Sequence, residues 1–215
     1  MTLQDMLDRI SARIGDQSQT RVQPLVMVSM VQDAQSRVAR ETWGYRKTYD
    51  ISTVAEQAEY DLPDGFLREY RVTVVNSDGS EGILVPRPAL ESYGTVPSTM
   101  QSMSFYWIKN TNAADTGLKI VLWGAPAVSD ETIQIDMAMD TGAITEGSSG
   151  LDLPSQFHDA VFWEALSQVA ELPEAGVPEA RIQGWGMRAH AALGEARRIS
   201  GRFAGKQGTM IPTPF

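Results

Sequence analysis

Hydrophobic spacing divides the chain into three blocks. Leu3, Leu7, Ile10 and Ile14 recur at i, i+4, i+7 and i+11, the stripe of a short amphipathic helix. Thr2 stands at the N-cap position with Asp5 three residues on, and Gly15 stands where the helix should end. A second helix is predicted from Thr20, because Thr20-x-x-Gln23 has capping-box spacing. Pro24 then falls in the first turn, where its missing N–H does no harm. This helix should run to Trp43-Gly44, with Leu25, Val26, Met30, Val31, Ala34 and Val38 turned mostly inward.

From Lys47 the period changes from about four to two. Tyr49/Ile51, Tyr60/Leu62, Tyr70/Val72/Val74, Ile83/Val85, Phe105/Trp107, Leu118/Ile120/Leu122 and Ile133/Ile135/Met137 form the apolar sets. Turn signals separate them at Leu62-Pro63-Asp64-Gly65, Asn76-Ser77-Asp78-Gly79 and Asn110-Thr111-Asn112. The pattern predicts an antiparallel sheet or small barrel of about six or seven strands. Gly147-Ser148-Ser149-Gly150 is expected to close the block as a flexible hinge.

Helical spacing then returns. A helix should start at Pro154 or Ser155, carry Phe162, Ala165, Leu166 and Val169, and stop near Leu172-Pro173. Pro178 opens the longest one, with Ile182, Trp185, Ala189, Ala192, Leu193, Ala196, Ile199 and Phe203 at three-four spacing. Gly184, Gly186, Gly194 and Gly201 each weaken it by up to about 1 kcal/mol, which suits either a helix that another backbone approaches closely or tolerated defects. The stretch 205–215 is expected to be non-helical. Pro212 and Pro214 favour an extended arm, with Met210, Ile211 and Phe215 as apolar anchors. The expected fold is α+β: an antiparallel helical bundle built from the N- and C-terminal helices, with a β-sheet or small-barrel insertion and an extended C-terminal arm. The expected divisions are 1–46, 47–150, 151–204 and 205–215.

Composition narrows the function. The 215 residues contain no cysteine, which excludes a disulfide framework, thiolate-bound metal and thiol nucleophiles. No apolar run approaches the ~18 residues of a membrane span, and the N-terminal residues do not read as a signal peptide. A soluble protein kept inside a cell or particle is therefore expected. Net charge is −9 and unevenly placed: residues 47–153 hold six Lys/Arg against sixteen Asp/Glu, while both flanks are near neutral. Such a middle segment repels phosphate, so it reads as a solubilising surface or as one to which passing nucleic acid must not adhere.

Chemistry is scarce. His158 is followed by Asp159 on a predicted helix with Ser155 three residues before, but neighbouring helical residues diverge by about 100°, so no Ser–His–Asp triad forms there. The two histidines, His158 and His190, do not share metal-ligand spacing, and His190 reads as a boundary residue. No phosphate-binding glycine motif follows a strand. An enzyme is not expected, and no cofactor or metal is implied. The different-class alternative is a soluble carbohydrate- or peptide-binding module stacking its ligand on Tyr106, Trp107 and Trp123.

One phrase occurs twice: Asp61-Leu62-Pro63-x-x-Phe66 and Asp152-Leu153-Pro154-x-x-Phe157. A strand would deliver Leu inward, Pro would turn the chain, and Phe would staple the turn to the core. The two copies are expected to bracket the β block where the chain passes between layers.

The order of parts resembles the head–tail adaptor proteins of tailed bacteriophages, the connector or head-completion ring beneath the portal. The resemblance rests on the two N-terminal helices, the run from Tyr60 to Val74 (YDLPDGFLREYRVTV), the return from Leu151 to Leu166 (LDLPSQFHDAVFWEAL), and the long last helix with its tail. It implies a viral structural protein of the virion, assembled in the bacterial host cytoplasm as a twelvefold ring. That ring would extend the DNA packaging and ejection channel and bind the portal above and a tail component below. DNA would pass without sequence-specific binding, and no membrane is involved. The portal-binding role would map onto Arg197, Arg198, Arg202 and Lys206 and onto the arm residues Thr209, Met210, Ile211, Pro212, Pro214 and Phe215. A tail terminator or completion ring is the alternative within the same class.

Overall fold

The computed structural model describes residues 1–86, 99–100, 105–110, 117–123, 125–126, 131–144 and 150–206, with 99–100, 110, 125 and 202–206 as backbone. The fold is α+β, and the chain divides into two compact units. One comprises Met1–Tyr45 with the residues from Asp140 onward; the other is Arg46–Met139.

The first unit is helical. Helix α1 (Leu3–Ile14) is capped as its sequence dictates: Thr2 Oγ1 accepts the Asp5 N–H at 3.1 Å, and the Asp5 carboxylate accepts the Thr2 N–H at 3.0 Å. Gly15 ends it in the left-handed region at φ 74°. Helix α2 (Pro24–Thr42) starts later than the capping-box spacing predicts. The Thr20 hydroxyl donates to the carboxylate of Asp16 and caps nothing. That carboxylate also accepts the backbone N–H groups of Thr20, Arg21 and Val22, which fixes the α1–α2 loop. The inward stripe of α2 runs through Met27, Val31, Gln35, Val38 and Thr42. Leu25, expected inside, is 63% exposed because at 100° per residue it falls to one side of that stripe.

A 3-10 turn at Ser155–Phe157 leads into helix α3 (His158–Ala170), and helix α4 spans Glu179–Lys206. Met6, Ile10, Met27, Val31, Val38, Phe162, Leu166 and Leu193 belong to one apolar core shared by all four helices. The α2 C-terminus passes close to this core at Gly44, where an added Cβ would lie 2.6 Å from the Phe157 ring.

The second unit is a sheet. Its strands are β1 (Arg46–Ser52), β2 (Glu59–Asp61), β3 (Phe66–Val75), β4 (Glu81–Pro86), β5 (Thr99–Met100), β6 (Phe105–Asn110), β7 (Leu118–Leu122), β8 (Ala125–Pro126) and β9 (Thr132–Met139). Seven of them form one sheet in the order β1-β9-β3-β4-β6-β7-β2, and β5 pairs with β8. Each of the seven apolar sets read from the sequence marks one strand of the large sheet. The expectation of a purely antiparallel sheet is corrected at two places, since β4–β6 and β5–β8 are parallel. Alternation reveals which face a residue takes but not the direction of its partner, and the long segment between β4 and β6 is enough for a crossover.

The inward phase is also corrected on two strands. Leu84 is buried while Ile83 and Val85 are 64% and 45% exposed. On β6 it is Tyr106 and Ile108 that join the sheet core, not Phe105 and Trp107. The register explains this. Val72 pairs with Leu84, and Pro86 with Tyr106, so the core side is passed from strand to strand through these positions.

Both copies of the Asp-Leu-Pro-x-x-Phe phrase make the same turn: the Phe66 N–H donates to the Pro63 carbonyl at 3.2 Å, and the Phe157 N–H to the Pro154 carbonyl at 2.9 Å. Their leucines are buried in both cases. The expectation that they bracket the β block is corrected, because the first copy lies inside the strand unit between β2 and β3. The hinge expected at 147–150 lies, except for Gly150, outside the described residues.

Candidate functional site

The residues assigned to a partner contact lie at the C-terminal end of α4. Leu193, Ala196 and Ser200 are buried along its inner side, as the three-four spacing requires. The Ser200 hydroxyl donates to the backbone carbonyl of Thr42, one of the acceptors that the end of α2 leaves unpaired. Arg197 Nη2 meets the Glu41 carboxylate at 2.6 Å. Thus α4 is fastened to the end of α2 up to Ser200 and continues helical to Lys206. The expected non-helical start at Gly205 is corrected by this extent. The nearest proline is Pro212, which restricts only itself and Ile211.

Arg197 and Arg198 do not share one environment. Arg197 is tied across to α2, whereas Arg198 pairs with Glu195 on its own helix, which raises the guanidinium pKa through that hydrogen bond and charge. Both guanidiniums remain partly exposed. Arg202 and Lys206 follow Arg198 at successive i+4 steps in the last turns. Cationic residues suit the negative end of the helix dipole there. Thr209, Met210, Ile211, Pro212, Pro214 and Phe215 lie outside the described residues.

The α4 glycines meet no close neighbour within the chain: a Cβ added at Gly184, Gly186, Gly194 or Gly201 would find open space. Close approach of another backbone within this chain is therefore not their reason.

The aromatic residues of the alternative binding platform are not brought together on one surface. Tyr106 faces the sheet core, where burial first and the nearby Glu69 carboxylate second raise its phenol well above the ordinary range. Its hydroxyl donates to Glu69 at 3.4 Å. Trp107 lies on the other side of the strand, packed edge-on to Trp123 with ring centroids 6.4 Å apart. A flat stacking surface made of all three does not exist.

His158 uses Nε2 on the Leu153 carbonyl at 2.8 Å, which ties the start of α3 to the preceding corner. His190, expected at the boundary, is exposed. Among the described residues no three His, Asp or Glu side chains gather as a metal site, and no helix is long and apolar enough to cross a membrane.

A family model described as SU10 adaptor protein matches residues 1–209. No curated protein matches the chain.

Proposed function

The chain belongs to the SU10 adaptor family of phage head–tail adaptors, and from that premise we propose that it forms a ring beneath the portal and joins the capsid to the tail. Membership supports a structural protein of the virion that acts with other virion components rather than an enzyme. The finer reading is a twelvefold ring that extends the DNA channel, holds the portal above and receives a tail component below. Its net negative charge keeps passing DNA from adhering.

The observation that carries the portal contact is the way α4 ends. The helix is anchored on α2 through Arg197 and Ser200, then runs on past that anchor to Lys206. In this reading the helix end brings Arg198, then Arg202 and Lys206 in chain order, and the residues from Thr209 to Phe215 to a partner. In this reading Met210, Ile211 and Phe215 are apolar anchors, and Pro212 and Pro214 limit the entropy lost on docking. Arg197 serves the site by holding the helix end. Repetition around a ring lets each arm bind weakly.

Co-sedimentation with the cognate portal ring tests this reading. The full chain should co-sediment, and the chain ending at Lys206 should not. Equal co-sedimentation of both would remove the arm from the contact.

A further inference from the structure

Arg21, Arg37, Arg40, Arg197 and Arg198 of the helical unit each meet a carboxylate. Three arginines of the helical unit do something different. Arg9 lies over the Phe162 ring at 4.4 Å, and Arg13 of α1 and Arg188 of α4 both lie over Trp163, at 5.9 and 5.1 Å from its centroid. Arg9 also donates to the Met1 sulfur, and Arg13 and Arg188 meet no carboxylate among the described residues.

Phe162 and Trp163 pack edge-to-face with centroids 5.2 Å apart, so the two rings under the cations adjoin. All three arginines are exposed. A guanidinium lying on a ring covers one flat face and leaves its in-plane N–H groups pointing outward, the geometry that grips carboxylates bidentately.

We propose that Arg9, Arg13 and Arg188, held on Phe162 and Trp163, form a docking patch for carboxylates on the strand unit of a second copy of this chain. The patch is too short for a nucleic-acid backbone, because Asp5 and Asp8 on the same helix and Asp159 on α3 interrupt any basic track. The complementary charge is present in the same molecule. Asp50 and Asp78 are exposed on the strand unit and accept from the neutral side chains of Gln134 and Ser80. A basic patch on one unit and acidic groups on the other make a heterologous contact, the kind that generates a ring when its rotation closes. The inference rests on the ring reading above in requiring that copies sit side by side.

The test places a photoreactive benzoylphenylalanine at exposed Ala12, beside Arg13, in the full chain. Labelled and unlabelled copies are mixed at high concentration without portal, irradiated and digested. Mixed-isotope cross-links from position 12 into residues 46–139 are expected. They should fall about tenfold in the Arg13→Gln/Arg188→Gln variant, and similarly in about 1 M salt, where screening shortens to about 3 Å. Cross-links absent, confined to one copy, directed into another helical unit, or unchanged by the variant and salt would overturn the proposal. Portal uptake measured separately keeps the two readings apart. Uptake without this cross-link leaves the adaptor in place and removes the interface; the cross-link without uptake does the reverse.

Discussion

Arg197 on α4 meets Glu41 on α2 at 2.6 Å, one turn before Ser200 closes on the Thr42 carbonyl. The ion pair is half-exposed, whereas the Ser200 hydroxyl is buried, so the two contacts differ in worth. Arg197→Ala should lower stability by less than about 1 kcal/mol. Ser200→Ala, which leaves a buried carbonyl unpaired, should lower it by about 1–3 kcal/mol. Urea unfolding of both variants checks the order; a costlier Arg197 change would contradict it.

Leu84 and Ile83 test which face of β4 is buried. Leu84 is 2% exposed and Ile83 64%. Leu84→Ala should cost about 2–5 kcal/mol through lost packing and a cavity, and Ile83→Ser should stay within about 0.5 kcal/mol. The reverse ranking by thermal unfolding would mean that the strand is turned over.

Asp16 supplies an acid-sensitive joint. Backbone hydrogen bonds, the Val22 N–H foremost and those of Arg21 and Thr20 with it, hold its carboxyl below the usual carboxylate range against the opposing effect of burial. A carboxyl depressed in the folded state stabilises it above the unfolded pKa of about 3.9 and loses that contribution as pH falls through the folded value. Asp16→Asn should therefore unfold at lower urea than the parent near neutral pH, and the gap should narrow steadily below about pH 4. A gap that does not change with pH would show that the joint does not depend on charge.

Gly44 is required by space. With an added Cβ only 2.6 Å from the Phe157 ring, Gly44→Ala should cost about 1–3 kcal/mol. The companion Gly194→Ala, where a Cβ meets open space, should stabilise by up to about 1 kcal/mol. Differential scanning calorimetry distinguishes the two signs.

The helices were legible where local chemistry decides them. Thr2, Asp5 and Gly15 delimit α1 through short-range bonds, and Pro178 marks the start of α4. Thr20 misled because Asp16, four residues earlier, competes for the same hydroxyl and backbone groups. Strand positions were legible from alternation, but phase on β4 and β6 was not, because Ile83-Leu84-Val85 and Phe105-Tyr106-Trp107 are apolar throughout. Only the Val72–Leu84 and Pro86–Tyr106 pairings, set by tertiary register, decide between the faces. At the α4 end, the basic residues were visible in sequence, while the roles of Arg197 as a strut and Ser200 as a clasp were not. Both depend on residues about 150 positions earlier in the chain. The cation clusters on Phe162 and Trp163 were hidden for the same reason, since α1, α3 and α4 each contribute a part.

Native mass spectrometry of the chain mixed with its cognate portal ring tests the central claim most directly. The adaptor account predicts uptake in a number set by the portal's symmetry, and loss of uptake when the chain ends at Lys206. Absence of uptake by the full chain would contradict the account.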